Sequence, residues 1–187
     1  METYLQTPPE ICSQIWKELI RSVRDKHHAW RTPALSTLSL DGGVNSRTVV
    51  LRGVNEIENR LFIYTDARST KVSELREHSQ AIFTFWSPRL HWQLRVKVNI
   101  SILTTGALFE EMWEKVSHSS AITDYINPSA PGSKLTTATE LVVTDKFTEN
   151  HFVVLIADIN EMDWLELSRK GHRRAKIIGD AWEWLTP

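Results

Sequence analysis

Cysteine is almost missing: Cys12 is the single one in 187 residues, so no internal disulfide framework can form, as fits a reducing cytoplasm. Net charge is missing too, with 22 Lys and Arg against 23 Asp and Glu, so no overall field draws the chain to nucleic acid or a membrane surface. No apolar run reaches the length needed to cross a bilayer, and the opening METYLQTPPEIC lacks the basic-then-apolar pattern of a signal peptide. The few glycines form neither GxGxxG nor a P-loop, which removes the usual cradles for dinucleotides and nucleoside triphosphates. The seven histidines are scattered, and none pairs with His, Cys or Glu at ligand spacing, so no metal site is expected. Leu90-His91-Trp92 beside Arg95 and Lys97 resembles a stacking platform for single-stranded nucleic acid, but the balanced charge speaks against that use.

What remains is a chain of one-domain length, 1–187, with residues 1–30 as an N-terminal helical extension. Thr7-Pro8-Pro9-Glu10 is a helix start, and Ile11, Ile15, Trp16, Leu19, Ile20 and Val23 recur at helical spacing to about Lys26. From Ala34 the period becomes two. A hairpin at Asp41-Gly42-Gly43 leads into a strand over 44–54, then one over 61–65. Ser69 is placed to cap a short helix, and strands follow over 81–86 and 90–103. In the longer one, Leu94, Val96, Val98, Ile100 and Ile102 share one face, with Gln93, Arg95, Lys97 and Asn99 on the other. A helix over 107–116, a long loop over 117–139, a strand over 152–159 and a hairpin over 172–185 complete the chain. Eight tryptophans are read chiefly as core and interface packing. Six or more antiparallel strands in meander order, with inserted helices, predict a mainly β (α+β) closed or split barrel.

The densest chemistry lies between Arg47 and Lys71. Arg47 and Arg52 flank an apolar tetrad that contains Val49 and Val50, and Tyr64-Thr65 ends the next strand. Ser69, Thr70 and Lys71 occupy a first helical turn, where hydroxyls, a cation and free backbone N–H groups suit a phosphate. Residues five apart on a strand face opposite ways, so Arg47 and Arg52 serve one site only near strand ends or across a bulge.

Arg47-Thr-Val-Val-Leu-Arg52, Phe62-Ile63-Tyr64-Thr65-Asp66 and Ser69-Thr70-Lys71 resemble the FMN-binding core of the pyridoxamine 5′-phosphate oxidase family. Trp92-Gln93-Leu94-Arg95-Val96, Trp164 ten residues before Arg174, and the closing Trp184-Leu185-Thr186-Pro187 match it further on. No single motif is strong, but five occur in register. The resemblance implies an FMN-binding split barrel, a homodimer with FMN at the subunit interface, and a small-molecule substrate. It gives Arg47, Ser69, Thr70 and Lys71 to the FMN phosphate, Tyr64 and Thr65 to the cofactor's flank, and Gln93 to the flavin edge. Val49 and Val50 fall within the same cofactor-binding strand. Trp164 and Arg174 are to complete the site from the partner subunit.

The departures bear on substrate. Arg52 stands where the oxidase usually has lysine, and Thr70 where it usually has arginine, with Arg68 expected to compensate. No arginine occurs between Arg95 and Arg169, so the family's substrate-phosphate arginine has no counterpart in the loop carrying Ser117, His118 and Tyr125. The family's Arg-Leu-His-Asp-Arg becomes Lys170-Gly171-His172-Arg173-Arg174, which leaves His172 and Arg174 as the substrate-facing catalytic candidates. The expectation is an FMN-dependent oxidoreductase of a divergent oxidase-related subgroup. The alternative is a non-catalytic flavin- or haem-binding module on the same fold.

Overall fold

A computed structural model describes residues 7–134 and 149–187. Helix α1 spans Pro8–Arg24, its entry held by the Thr7 backbone N–H donating to Glu10 Oε2 at 3.0 Å. Ile11, Ile15, Trp16 and Leu19 form its buried stripe, each worth roughly 1.5–3 kcal/mol of apolar burial. A 3₁₀ turn, Ala29–Arg31, leads to β1 (Ala34–Leu38), β2 (Val44–Thr48), β3 (Leu51–Asn55) and β4 (Arg60–Asp66). Helix α2 (Thr70–Glu77) precedes β5 (Gln80–Ser87) and β6 (Trp92–Leu103). Helix α3 (Ala107–Ser117), a 3₁₀ turn (Ser120–Asp124), β7 (Phe152–Glu166), β8 (Arg173–Ile178) and β9 (Ala181–Leu185) follow.

The strands form one antiparallel sheet in the order β2-β1-β5-β6-β7-β4-β3, with β8 on β7 and β9 on β8. The first and last strands of that path, β2 and β3, are consecutive in the chain and joined only by Val49-Val50. Flat, the sheet would hold them roughly 29 Å apart, whereas the link between their ends reaches at most about 11 Å. The sheet must therefore curl until its two ends meet, and β2 and β3 do not pair. That is a split barrel.

Two sequence expectations need correction. The strand predicted over 44–54 is two strands: β2 pairs with β1, and β3 with β4. The chain crosses the seam at Val49, whose N–H donates to Pro33 O at 3.0 Å. Nor is the order a meander. β7, twice the expected length, lies between β6 and β4, pairing Leu103 with Val154 on one side and Asp66 with Phe152 on the other. The outer half of β7 continues past a register shift near Lys97 to pair with β8 as well.

Inside the barrel, Leu35, Leu51, Phe83, Phe85, Leu94, Val96 and Trp164 form the main core. Outside β4 and β7, α3 covers a second cluster of Phe62, Phe109, Val116, Tyr125, Phe152 and Val154. With both faces covered, β4 and the first half of β7 are buried almost continuously rather than alternately. Part of the loop expected over 117–139 lies outside the described residues.

Candidate functional site

The seam places the predicted residues. Arg47, at the edge strand β2, lies opposite Leu35 on the inner face. Its guanidinium donates to Thr37 Oγ1 and, at 2.9 Å, to Glu74 Oε2 on α2. Glu74 is 0 % exposed and also accepts from Thr37 Oγ1 at 2.6 Å and from Asn45 Nδ2. Burial raises its carboxyl, but the bonds from Thr37, Asn45 and Arg47 outweigh that and hold it below the ordinary glutamate range. Thr37, Asn45 and Glu74 were not singled out from the sequence. The available signal was that Glu74 follows Lys71 by three residues, on the same helix face.

Lys71 sits differently. Its Nζ donates to Thr65 Oγ1 at 2.9 Å, and among the described residues no carboxylate lies within ion-pair distance of it. Burial, then the neighbouring Arg47 charge, push its ammonium below the usual lysine range. Ser69 stands at the N-cap of α2, yet its hydroxyl donates back to Asp66 O at 2.8 Å, and no described side chain caps the helix. The first-turn amides thus have no side-chain acceptor, with Thr70 exposed on that turn. Two cations, the Thr65 and Ser69 hydroxyls 3.4 Å apart and an uncapped helix start are brought together at one end of the barrel.

Arg68 is not part of this group. Its guanidinium is held by Asp66 (2.7 and 3.1 Å) and by the carbonyls of Asn127 (2.7 Å), Pro128 (3.0 Å) and Ser129 (3.4 Å). It clamps the segment after α3 to the β4–α2 turn.

Arg52 occupies the irregular step between Leu51 and Gly53, so the bulge that its reach requires is present. It lies 5.9 Å from the centre of the Tyr64 ring, and the phenol of Tyr125 is hydrogen-bonded to it. Among the described residues it has no carboxylate within ion-pair distance. Burial raises both phenols above the ordinary tyrosine range, against the opposing pull of Arg52.

Gln93 and Arg174 stand elsewhere, in one row across the outer face: Trp86, Gln93, Leu165, Arg174 and Leu185. Arg174 makes a two-point ion pair with Asp163, which also accepts from Arg95. Within one chain this row and the Arg47–Lys71 seat lie on opposite faces of the sheet. His172 is exposed in the β7–β8 connection, its Nδ1 accepting from the Ser168 N–H at 3.1 Å. Trp164 joins neither group. It is 0 % exposed and packed edge-on against Trp92 at 5.2 Å, and among the described residues its indole N–H has no partner. Its place within the single chain is in the main core.

Residues 13–104 match the sequence pattern of the pyridoxamine 5′-phosphate oxidase FMN-binding domain. Over that stretch, just under half of its length, the chain is similar to these oxidases. It is 37% identical over 73 residues to the pyridoxine/pyridoxamine 5′-phosphate oxidase of Thermosynechococcus vestitus, covering 38% of this chain and 33% of that protein. To pyridoxine/pyridoxamine 5′-phosphate oxidase 2 of Arabidopsis thaliana it is 30% identical over 91 residues, 47% of this chain and 46% of the other. The chain thus spans less than half the length of the curated oxidases it matches. Among solved structures, the oxidase-related FMN binding protein of Nostoc punctiforme PCC 73102 superposes with TM-score 0.73 at 20% identity, covering 98% of this chain and 100% of that one. PhzG of Burkholderia lata 383, solved with tetrahydrophenazine-1-carboxylic acid, gives 0.72 at 18%, with 100% of both chains covered. At those identities the likeness is one of fold, and that fold is the split barrel of the oxidase-related proteins. No described helix of this chain is long and apolar enough to cross a membrane. The described residues hold no cluster of three metal-ligating side chains.

Proposed function

We propose that this chain is an FMN-dependent oxidoreductase that acts on a small substrate as a homodimer. The observation that carries the reading is Lys71: a half-buried ammonium, destabilised by burial and by Arg47, whose described partner is a neutral hydroxyl. Such a group is best satisfied by an incoming anion. Arg47, Thr65, Ser69, Lys71 and the α2 amides fit a phosphomonoester, and the match over residues 13–104 points to that of FMN.

When bound, the flavin supplies hydride acceptance from the substrate. The chain supplies the rest. Lys71 and Arg47 neutralise the phosphate, and Arg52, anchored against Tyr64 and Tyr125, holds positive charge near the reacting end at little reorganisation cost. Gln93 and Arg174 serve the ring edge of the neighbouring subunit's site, because in their own chain they face away from the phosphate seat. Exposed His172, one residue before the strand that carries Arg174, is the polar group offered to substrate. Its Nδ1 accepts a backbone bond, so its Nε2 carries the outward proton.

The test is direct. Purified protein should be yellow, or should bind added FMN at micromolar concentration, and pyridoxamine 5′-phosphate or another reductant should bleach it. A colourless protein that ignores micromolar FMN ends this reading. A yellow protein that no small reductant bleaches leaves the non-catalytic flavin-binding module.

A further inference from the structure

Every cation of the phosphate seat but one has a described carboxylate against it, and the geometry of that carboxylate is informative. We propose that Glu74 is a positioning residue for anion recognition: it fixes the Arg47 guanidinium, and its charge sets how tightly the seat holds a phosphate. The proposal rests on the FMN reading for the identity of the phosphate, but not for the existence of the seat.

Glu74 is fully enclosed, and all the described hydrogen-bond partners of its carboxylate come from the β1–β2 hairpin. The two oxygens are used unequally. Oε2 receives both Thr37 Oγ1 and Arg47, while Oε1 receives only the side-chain amide of Asn45. An amide can turn over and offer its oxygen instead of its nitrogen. A glutamine at position 74 could therefore keep every one of these contacts: its oxygen toward Thr37 and Arg47, its NH₂ toward a turned Asn45. Stitching α2 to the hairpin does not need a charge.

A buried carboxylate is costly unless the charge itself is used. Its surroundings show the use. Arg47 and Lys71 are close enough to repel, and Glu74 opposes that repulsion from the same helix face as Lys71. With Glu74 ionised, the seat of Arg47, Lys71 and Glu74 carries one net positive charge rather than two. Arg47 is thereby pre-set in direction, and the attraction for a phosphate is moderated.

Two substitutions separate reach from charge. Glu74→Gln keeps the reach and removes the charge. Glu74→Asp keeps the charge but, one methylene shorter, draws the oxygens back from Arg47. Fluorescence titration with FMN, riboflavin and inorganic phosphate (the last read by thermal shift) should give opposite responses. Glu74→Gln should tighten FMN and phosphate about threefold to tenfold. Glu74→Asp should weaken both about fivefold or more. Riboflavin, which lacks the phosphate, should move less than about twofold, since the 74 charge acts on the phosphate end alone.

If Glu74→Asp does not fold by circular dichroism, Glu74→Gln decides alone. Unchanged or weaker anion binding in Glu74→Gln overturns the proposal and leaves the FMN reading intact. Phosphate binding without FMN binding, with the same order among variants, upholds Glu74 and removes the FMN reading. A wild-type protein that binds neither overturns both.

Discussion

Asp163 receives Arg174 at two points, Nε to Oδ1 at 3.0 Å and a terminal nitrogen to Oδ2 at 2.8 Å, and takes Arg95 on the same Oδ2. One carboxylate thus aims two cations on the outer face, as Glu74 aims Arg47 within the seam. Burial raises the Asp163 carboxyl, but Arg174 and Arg95 outweigh it and hold it below the ordinary aspartate range. A depressed folded value contributes stability above the unfolded pKa and loses it as pH falls through the folded one. Asp163→Asn should cost about 2 kcal/mol at neutral pH. It should also flatten the acid limb of a melting-temperature profile below the ordinary aspartate range. An unchanged acid limb would show that the pair contributes nothing to the fold.

Lys71 should trade stability for binding. Lys71→Met removes a desolvated cation that Arg47 repels, so the ligand-free protein should gain about 0.5–1 kcal/mol. FMN affinity should fall at least about tenfold. In the wild type the folded-state lysine is depressed, so the unfolded chain binds more protons between the two values. Ligand-free stability should therefore include a contribution that rises with pH through that window, and the methionine variant should lack it. Denaturant melts at several pH values, beside a flavin titration, read both.

Trp164 tests core against cofactor contact. Among the described residues its indole N–H has no partner, and its ring packs on Trp92. Trp164→Phe should therefore lose less than about 1.5 kcal/mol and leave FMN affinity unchanged. Trp164→Ala should lose about 3–5 kcal/mol. A large loss of FMN affinity in a stable phenylalanine variant would put Trp164 in the site.

Arg68→Ala should release the segment at Asn127–Ser129, since the carbonyls of all three residues accept from its guanidinium, which Asp66 holds in place. Hydrogen exchange across residues 118–134 should quicken, with a cost of about 1–2 kcal/mol. Protection equal to the wild type there would mean that the clamp is dispensable.

What could be read in the sequence followed local rules. Period-two alternation gave β6 its two faces, and helical spacing gave α1 its stripe, ending at Arg24 rather than Lys26. The Arg47–Lys71 motifs placed cations, hydroxyls and a helix start in one region. What escaped depended on partners far along the chain. Nothing near Arg68 announces the carbonyls of 127–129, and nothing near Arg174 announces that Asp163 will hold it in place. Spacing to Arg174 fixes the register of Trp164, not which face it takes: Arg174 pairs with Leu165, one residue on, and so points the other way. The break at Val49-Val50 was hidden because both halves of that run are good strand sequence.

β7 also has a meaning for how the chain comes into being. It fills the slot between β6 and β4, and its pairing of Arg60 with Asp158 joins residues 98 apart in the chain. A growing chain that has emerged only as far as residue 104 carries two open β edges facing a gap. Such edges are templates for wrong partners. The stretch that carries the family likeness is therefore not a self-sufficient folding unit. Expressed alone, it should aggregate, and β7, outside that stretch, is the strand whose arrival lets the rest stay apart.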